Sequence, residues 1–117
     1  MGRISIVAIR LLERRELAGL SQTELGVAAG MHEGNCGTQI CQYETGVHLP
    51  SIWRMTDLAA ALRVPLPYFY CQDPVLADLI LKFGALGSEQ RARLFSLLSG
   101  SVETPPTPPQ LEFDPPA

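Results

Sequence analysis

The chain has 117 residues, which fits one domain with enough length for a small core. Hydrophobic residues make up 46% of it, an ordinary share for a globular protein, and no apolar run approaches the roughly 18 residues of a membrane-spanning helix. The formal net charge of −3 at neutral pH argues against a uniformly basic nucleic-acid binder.

The charge is unevenly spread. All nine basic residues lie between Arg3 and Arg93, while Glu103, Glu112 and Asp114 lie in the tail. Setting those three aside leaves nine acids against nine bases, so the folded part is expected to be about neutral. The opening stretch is apolar but interrupted by Arg10 and Glu13, and it offers no signal-cleavage site. Ile6 stands where a myristoylation pattern needs Ser or Thr. Cys36, Cys41 and Cys71 are an odd count without a secretion signal, which points to reduced thiols and a cytoplasmic protein.

The first helix is predicted over Ile4 to Ala18, with Ile6, Ile9, Leu12 and Leu17 as an irregular apolar stripe. Arg10, Arg14 and Arg15 fall on its other faces, and Gly19 suits its stop. The second opens at Ser21, where Ser21 and Glu24 form a capping box and Leu25 and Ala28 face inward. The third runs from an Asn35 cap to just before Gly46, with Ile40 and Tyr43 as its buried side. A fourth spans about Ser51 to Arg63, with Ile52, Met55, Leu58, Ala59 and Leu62 inward. A short fifth uses Leu66 and Phe69. Asp73-Pro74 opens a sixth, carrying Val75, Leu76, Leu79, Ile80 and Phe83, because Pro is tolerated at the first helical position. Ser88-Glu89 opens a seventh, with Leu94, Leu97 and Leu98 apolar. The tail from Ser101 holds six of the ten prolines and is expected to be disordered or polyproline-like, contributing nothing to folding.

Residues 20 to 46 read as two short helices joined by a glycine-bearing turn, the layout of a helix-turn-helix. Leu20-Ser21-Gln22-x-Glu24-Leu25 and Ile40-x-Gln42-Tyr43-Glu44-x-Gly46 carry the signal. Leu49-Pro50-Ser51 and Leu58-Ala59-x-Ala61-Leu62-x-Val64 continue it. Together they resemble the phage-repressor/Cro-type (XRE-like) helix-turn-helix family over roughly residues 5 to 70. The resemblance implies an all-α fold: a repressor-like five-helix DNA-binding domain, here with two C-terminal helices added. The expected division is a DNA-binding domain at 1–72, a dimerisation extension at 73–100 and the Pro-rich tail at 101–117. Gly26 stands where the family carries a small residue, as close approach of two helices requires. Gly30 to Ile40 is four residues longer than the family pattern. Either the second helix gains a turn and Gly34 becomes the turn glycine, or the connecting loop is longer. Gly30 and Gly34 both disfavour helix, which favours the loop.

Asn35, Thr38, Gln39, Cys41 and Gln42 fall on faces of the third helix away from Ile40 and Tyr43. An amide can donate to and accept from adenine at once, so these positions suit base reading. The resemblance places phosphate contacts at Gln22, at the start of the second helix, and at Thr45, Val47 and His48 after the third. It also implies a structural ion pair between Arg15 and Glu44. Against this reading, no Lys or Arg occurs from Leu17 to Trp53.

The spacing of Cys36 and Cys41 matches no metal or redox motif, and no paired-carboxylate, Ser-His or phosphate-loop arrangement occurs. The expectation is a non-enzymatic regulator of transcription without metal or cofactor, binding double-stranded DNA as a homodimer and needing no membrane. Leu79, Ile80, Phe83, Leu94 and Leu97 are its expected dimer contacts. The alternative is a protein-interaction module of the same fold, for example an antitoxin-like partner. A third class, a thiol-based sensor, would come on top of the first.

Overall fold

The computed structural model describes residues 5–101, and all regular structure among them is helical. The prolines of the tail fall outside the described residues.

Ser5 caps the first helix, α1 (Ile6–Leu17), by accepting from the Ala8 N–H at 3.2 Å. Its buried face is Val7, Ala8, Arg10 and Leu11, whereas Ile9 and Leu17 are 42% and 74% exposed. The expected stripe advanced mostly in threes, which drifts around a 3.6-residue helix, while Val7 and Leu11 are four apart and stay together. Arg10, expected on an outer face, is buried.

The capping box opens α2 (Gln22–Ala28) as expected. The Ser21 hydroxyl accepts from the Glu24 N–H at 3.0 Å, and the Ser21 N–H donates to the Glu24 carboxylate at 2.9 Å. These bonds from Ser21 hold the Glu24 carboxyl below its ordinary value. Leu25 is fully buried, but Ala28 is exposed and Ala29 takes the inward place. The helix stops because Gly30 adopts a left-handed conformation, φ +80°. Its N–H donates to Val27 O at 3.0 Å, and the Met31 N–H donates to Gly26 O at 2.9 Å. This is a Schellman ending, and the buried Met31 pins the chain as it leaves. The four additional residues therefore lie in a longer loop.

The loop feeds α3 (Cys36–Thr45), in which Cys36, Ile40 and Glu44 recur every four residues on the buried face and Tyr43 is half-buried. Asn35 occupies the cap position but makes no side-chain cap bond. The entry turn is closed instead by the Cys36 N–H donating to His32 O at 3.1 Å. At the crossing of α2 and α3, a Cβ on Gly26 would lie 2.5 Å from the Cys36 Cβ. Only glycine allows this approach.

Ser51 caps α4 (Ile52–Leu62) by accepting from the Arg54 N–H at 3.1 Å. Met55, Leu58, Ala59 and Leu62 are buried, whereas Ile52, expected inward, is 51% exposed. A 3-10 turn (Leu66–Tyr70) inserts Phe69 and Tyr68 into the core. The Asp73 carboxylate accepts from the Val75 N–H at 2.9 Å and starts α5 (Pro74–Ala85). Ala77 of α5 is buried, and Ile80 and Leu81 pack against the core. The first compact unit runs through Ala85 and includes α5.

The second unit begins at Leu86 and contains α6 (Ser88–Ser101). Gln90 accepts from the Gly87 N–H at 3.2 Å at its start. Along it Leu94 is half-buried, and Phe95 and Leu98 are exposed.

Gly26→Ala should destabilise the protein by about 1–3 kcal/mol despite alanine's better helix propensity, because the added methyl overpacks the α2–α3 crossing. Urea denaturation of the full chain measures this.

Candidate nucleic-acid interface

The face of α3 that meets solvent is set by what its other face must hold. Glu44 is the deepest charge there, its side chain 3% exposed. It accepts three hydrogen bonds: from Arg15 Nε at 2.6 Å, from Arg15 Nη2 at 3.1 Å and from Gln22 Nε2 at 3.0 Å. Arg15 also donates through Nη1 to Leu20 O at 2.9 Å. The Glu44 hydrogen bond raises the Arg15 guanidinium above its already high ordinary value. Arg15 and Glu44 therefore form a two-point ion pair that joins α1 to the end of α3 and draws in the first residue of α2.

Gln22 is thus partly committed. One amide hydrogen is held by Glu44, which fixes the side chain at the mouth of a groove between α2 and α3. The groove is lined by Gln22, Thr23, Gly37, Thr38, Cys41 and Gln42. Its floor is narrow because a Cβ on Gly37 would come within 2.5 Å of Thr23 Oγ1. Thr38 and Gln42 stand roughly opposite Ile40, at about 100° of rotation per residue.

The structure brings Gln22, Thr38 and Gln42 together in this groove. It does not bring the remaining candidates into its lining. Gln39 is half-buried on the other flank of α3, and Asn35 is exposed at its entry. Thr45 is exposed, but its hydroxyl donates back to Cys41 O at 2.9 Å, leaving lone pairs that a phosphate would repel. His48 is exposed beyond the helix, with its backbone N–H donating to Gln42 O at 3.2 Å. Thr23 was not singled out by sequence. The available signal was its place in the first turn of α2, beside Gln22.

Cys41 shares the groove as a half-buried thiol, and Cys36 is fully buried. Among the described residues no three His, Cys, Asp or Glu side chains gather as a metal site requires, and no helix is long and apolar enough to cross a membrane.

The crystal structure of the transcriptional regulator BswR matches this fold with a TM-score of 0.73 and 36% sequence identity, over 80% of this chain and 92% of that one. This chain belongs to the BswR family. No protein-family model and no curated protein matches it.

Glu44→Gln should leave the Arg15 guanidinium half-paired in a largely closed site and cost about 3 kcal/mol of stability. The same change should loosen Gln22. Chemical denaturation checks the first effect, and side-chain amide NMR of Gln22 checks the second.

Proposed function

We propose that the chain is a sequence-specific, DNA-binding regulator of transcription of the phage-repressor/Cro (XRE-like) type, working as a homodimer. The observation that carries this reading is the groove between α2 and α3. It presents Thr38 and Gln42 on the outward face of α3, whose inward face is fixed by Glu44, with the Gln22 side chain of α2 beside them. Amides and hydroxyls at such positions match the donor and acceptor pattern of base edges in a major groove. Family membership with BswR, a transcriptional regulator, supports the same reading.

A protein about neutral outside its tail gains little from phosphate attraction, so one copy binds weakly and two copies on a near-palindromic site bind well. Exposed apolar side chains suit pairing of copies: Val75, Leu76 and Leu79 on α5, and Phe95 and Leu98 on α6. Phe95→Asp should then give a monomer by light scattering and a marked loss of operator affinity with unchanged α2–α3 folding.

The deciding experiment is a binding selection on random duplexes, followed by Gln42→Ala. That variant should lose about 1–3 kcal/mol of discrimination at one base pair per half-site. Its salt slope should stay unchanged because no phosphate charge is lost. Equal affinity and selectivity in Gln42→Ala would exclude this face as the reading surface.

A second reading, a protein-interaction module of the same fold, is favoured by one feature. Val47, Leu49, Ile52 and Trp53 are all exposed after α3, Trp53 at 80%, on a stretch without Lys or Arg before Arg54. Failure of the duplex selection to enrich any sequence would favour it.

A further inference from the structure

Three arginines lie within six residues on α1, and each guanidinium meets a different environment. Arg15 presents its Nε and Nη2 edge to Glu44. Arg10, 9% exposed, directs the same edge at Cys71 O, with Nε at 3.1 Å and Nη2 at 2.7 Å. Arg14, one turn from Arg10, has a buried Nε–H with no acceptor. Among the described residues no hydrogen bond or ion pair engages its other amino groups either. Both Arg10 and Arg14 lie over the buried Tyr68 ring, their Cζ atoms 4.7 Å and 5.9 Å from its centroid.

We infer that Arg10, Arg14 and Tyr68 form a binding site for a small oxyanion, a carboxylate or a phosphate. The ring face attracts both cations but offers no lone pair along an N–H direction. Two guanidinium groups over one ring repel each other, and no carboxylate among the described residues stands within ion-pair distance of either. An oxyanion supplies what is missing, with two acceptor atoms for the free fork of Arg14 and a negative charge between the two cations. A buried donor without a partner is rare enough in folded proteins that an ion or water at that point is the ordinary explanation. The charge of Arg10 and Arg14 selects the ion. The site is separate from the α2–α3 groove, since Arg14 is about 100° around α1 from Arg15. Occupancy would tie α1 to the 3-10 turn, giving an anion a means of stabilising the first unit.

The test uses the full chain labelled with 15N, at constant ionic strength set with chloride. Inorganic phosphate and acetate are titrated in separate arms while the arginine Nε–Hε signals are followed. The Arg14 signal should shift and saturate in at least one arm, and which arm responds distinguishes a phosphate from a carboxylate. The Arg15 signal, already bonded to Glu44, should stay still. The melting temperature should rise with the logarithm of the bound anion's concentration, as linkage requires. Arg14→Lys keeps the charge but loses the fork, and should bind at least about tenfold more weakly. Two outcomes would overturn the site. One is the absence of a saturable shift in either arm. Another is an unchanged titration in Arg14→Lys.

Discussion

Arg15 and Glu44 stand 29 residues apart, and the contact between them decides how α3 lies on α1. A carboxylate with 3% of its side chain exposed has lost most of its water. Removing a charge from water costs several kcal/mol, so the position is tolerable only where other donors replace the solvent. Two N–H groups of Arg15 and one of Gln22 do so. Rotating α3 by one residue would swing Glu44 about 100° away from all three. The register that satisfies Glu44 therefore also fixes Cys36 and Ile40 inside and Thr38 and Gln42 outside. The electrostatic requirement of one buried group sets the outward face of the helix.

The approach of α2 to α3 is fixed by contact of a different kind. Gly26 lies against Cys36, and Gly37 lies against Thr23. With glycine on one side of each contact, the two helices come close enough to leave only a shallow groove between them. The seven-residue α2 could not hold this geometry by helix propensity alone, since isolated helices of that length are unstable in water. Its capping box, its Schellman ending and the burial of Leu25 and Met31 hold it in place. The long loop that follows costs little, because loop entropy grows slowly with length.

Electrostatics divides the first unit into surfaces of different character. The α2–α3 groove is polar and uncharged, suited to reading shape and hydrogen-bond pattern rather than to attracting phosphates. The Arg10 and Arg14 cations of α1, neither of them paired with a carboxylate among the described residues, lie instead over Tyr68, beside the 3-10 turn. Trp53 and its apolar neighbours form a third surface at the start of α4.

The sequence by itself determined the features that depend on neighbours in the chain. The Ser21–Glu24 box, the Ser51 cap, the Asp73-Pro74 start and the stop at Gly30 each involve groups within a few residues, so local chemistry specifies them. The helical order was legible for the same reason, since it is written in spacing. Tertiary structure alone decided which faces are buried. Ile9, Ile52 and Ala28 read as inward and are exposed, because an apolar side chain is buried only where another element arrives to cover it. Arg10 read as outward and is buried, because the carbonyl of Cys71, 61 residues away, gives its guanidinium an acceptor. The grouping of Gln22, Thr38 and Gln42, apart from Asn35, Gln39, Thr45 and His48, was likewise invisible in the chain. It follows from the angle at which α2 meets α3, and long-range contacts at Gly26 and Glu44 set that angle.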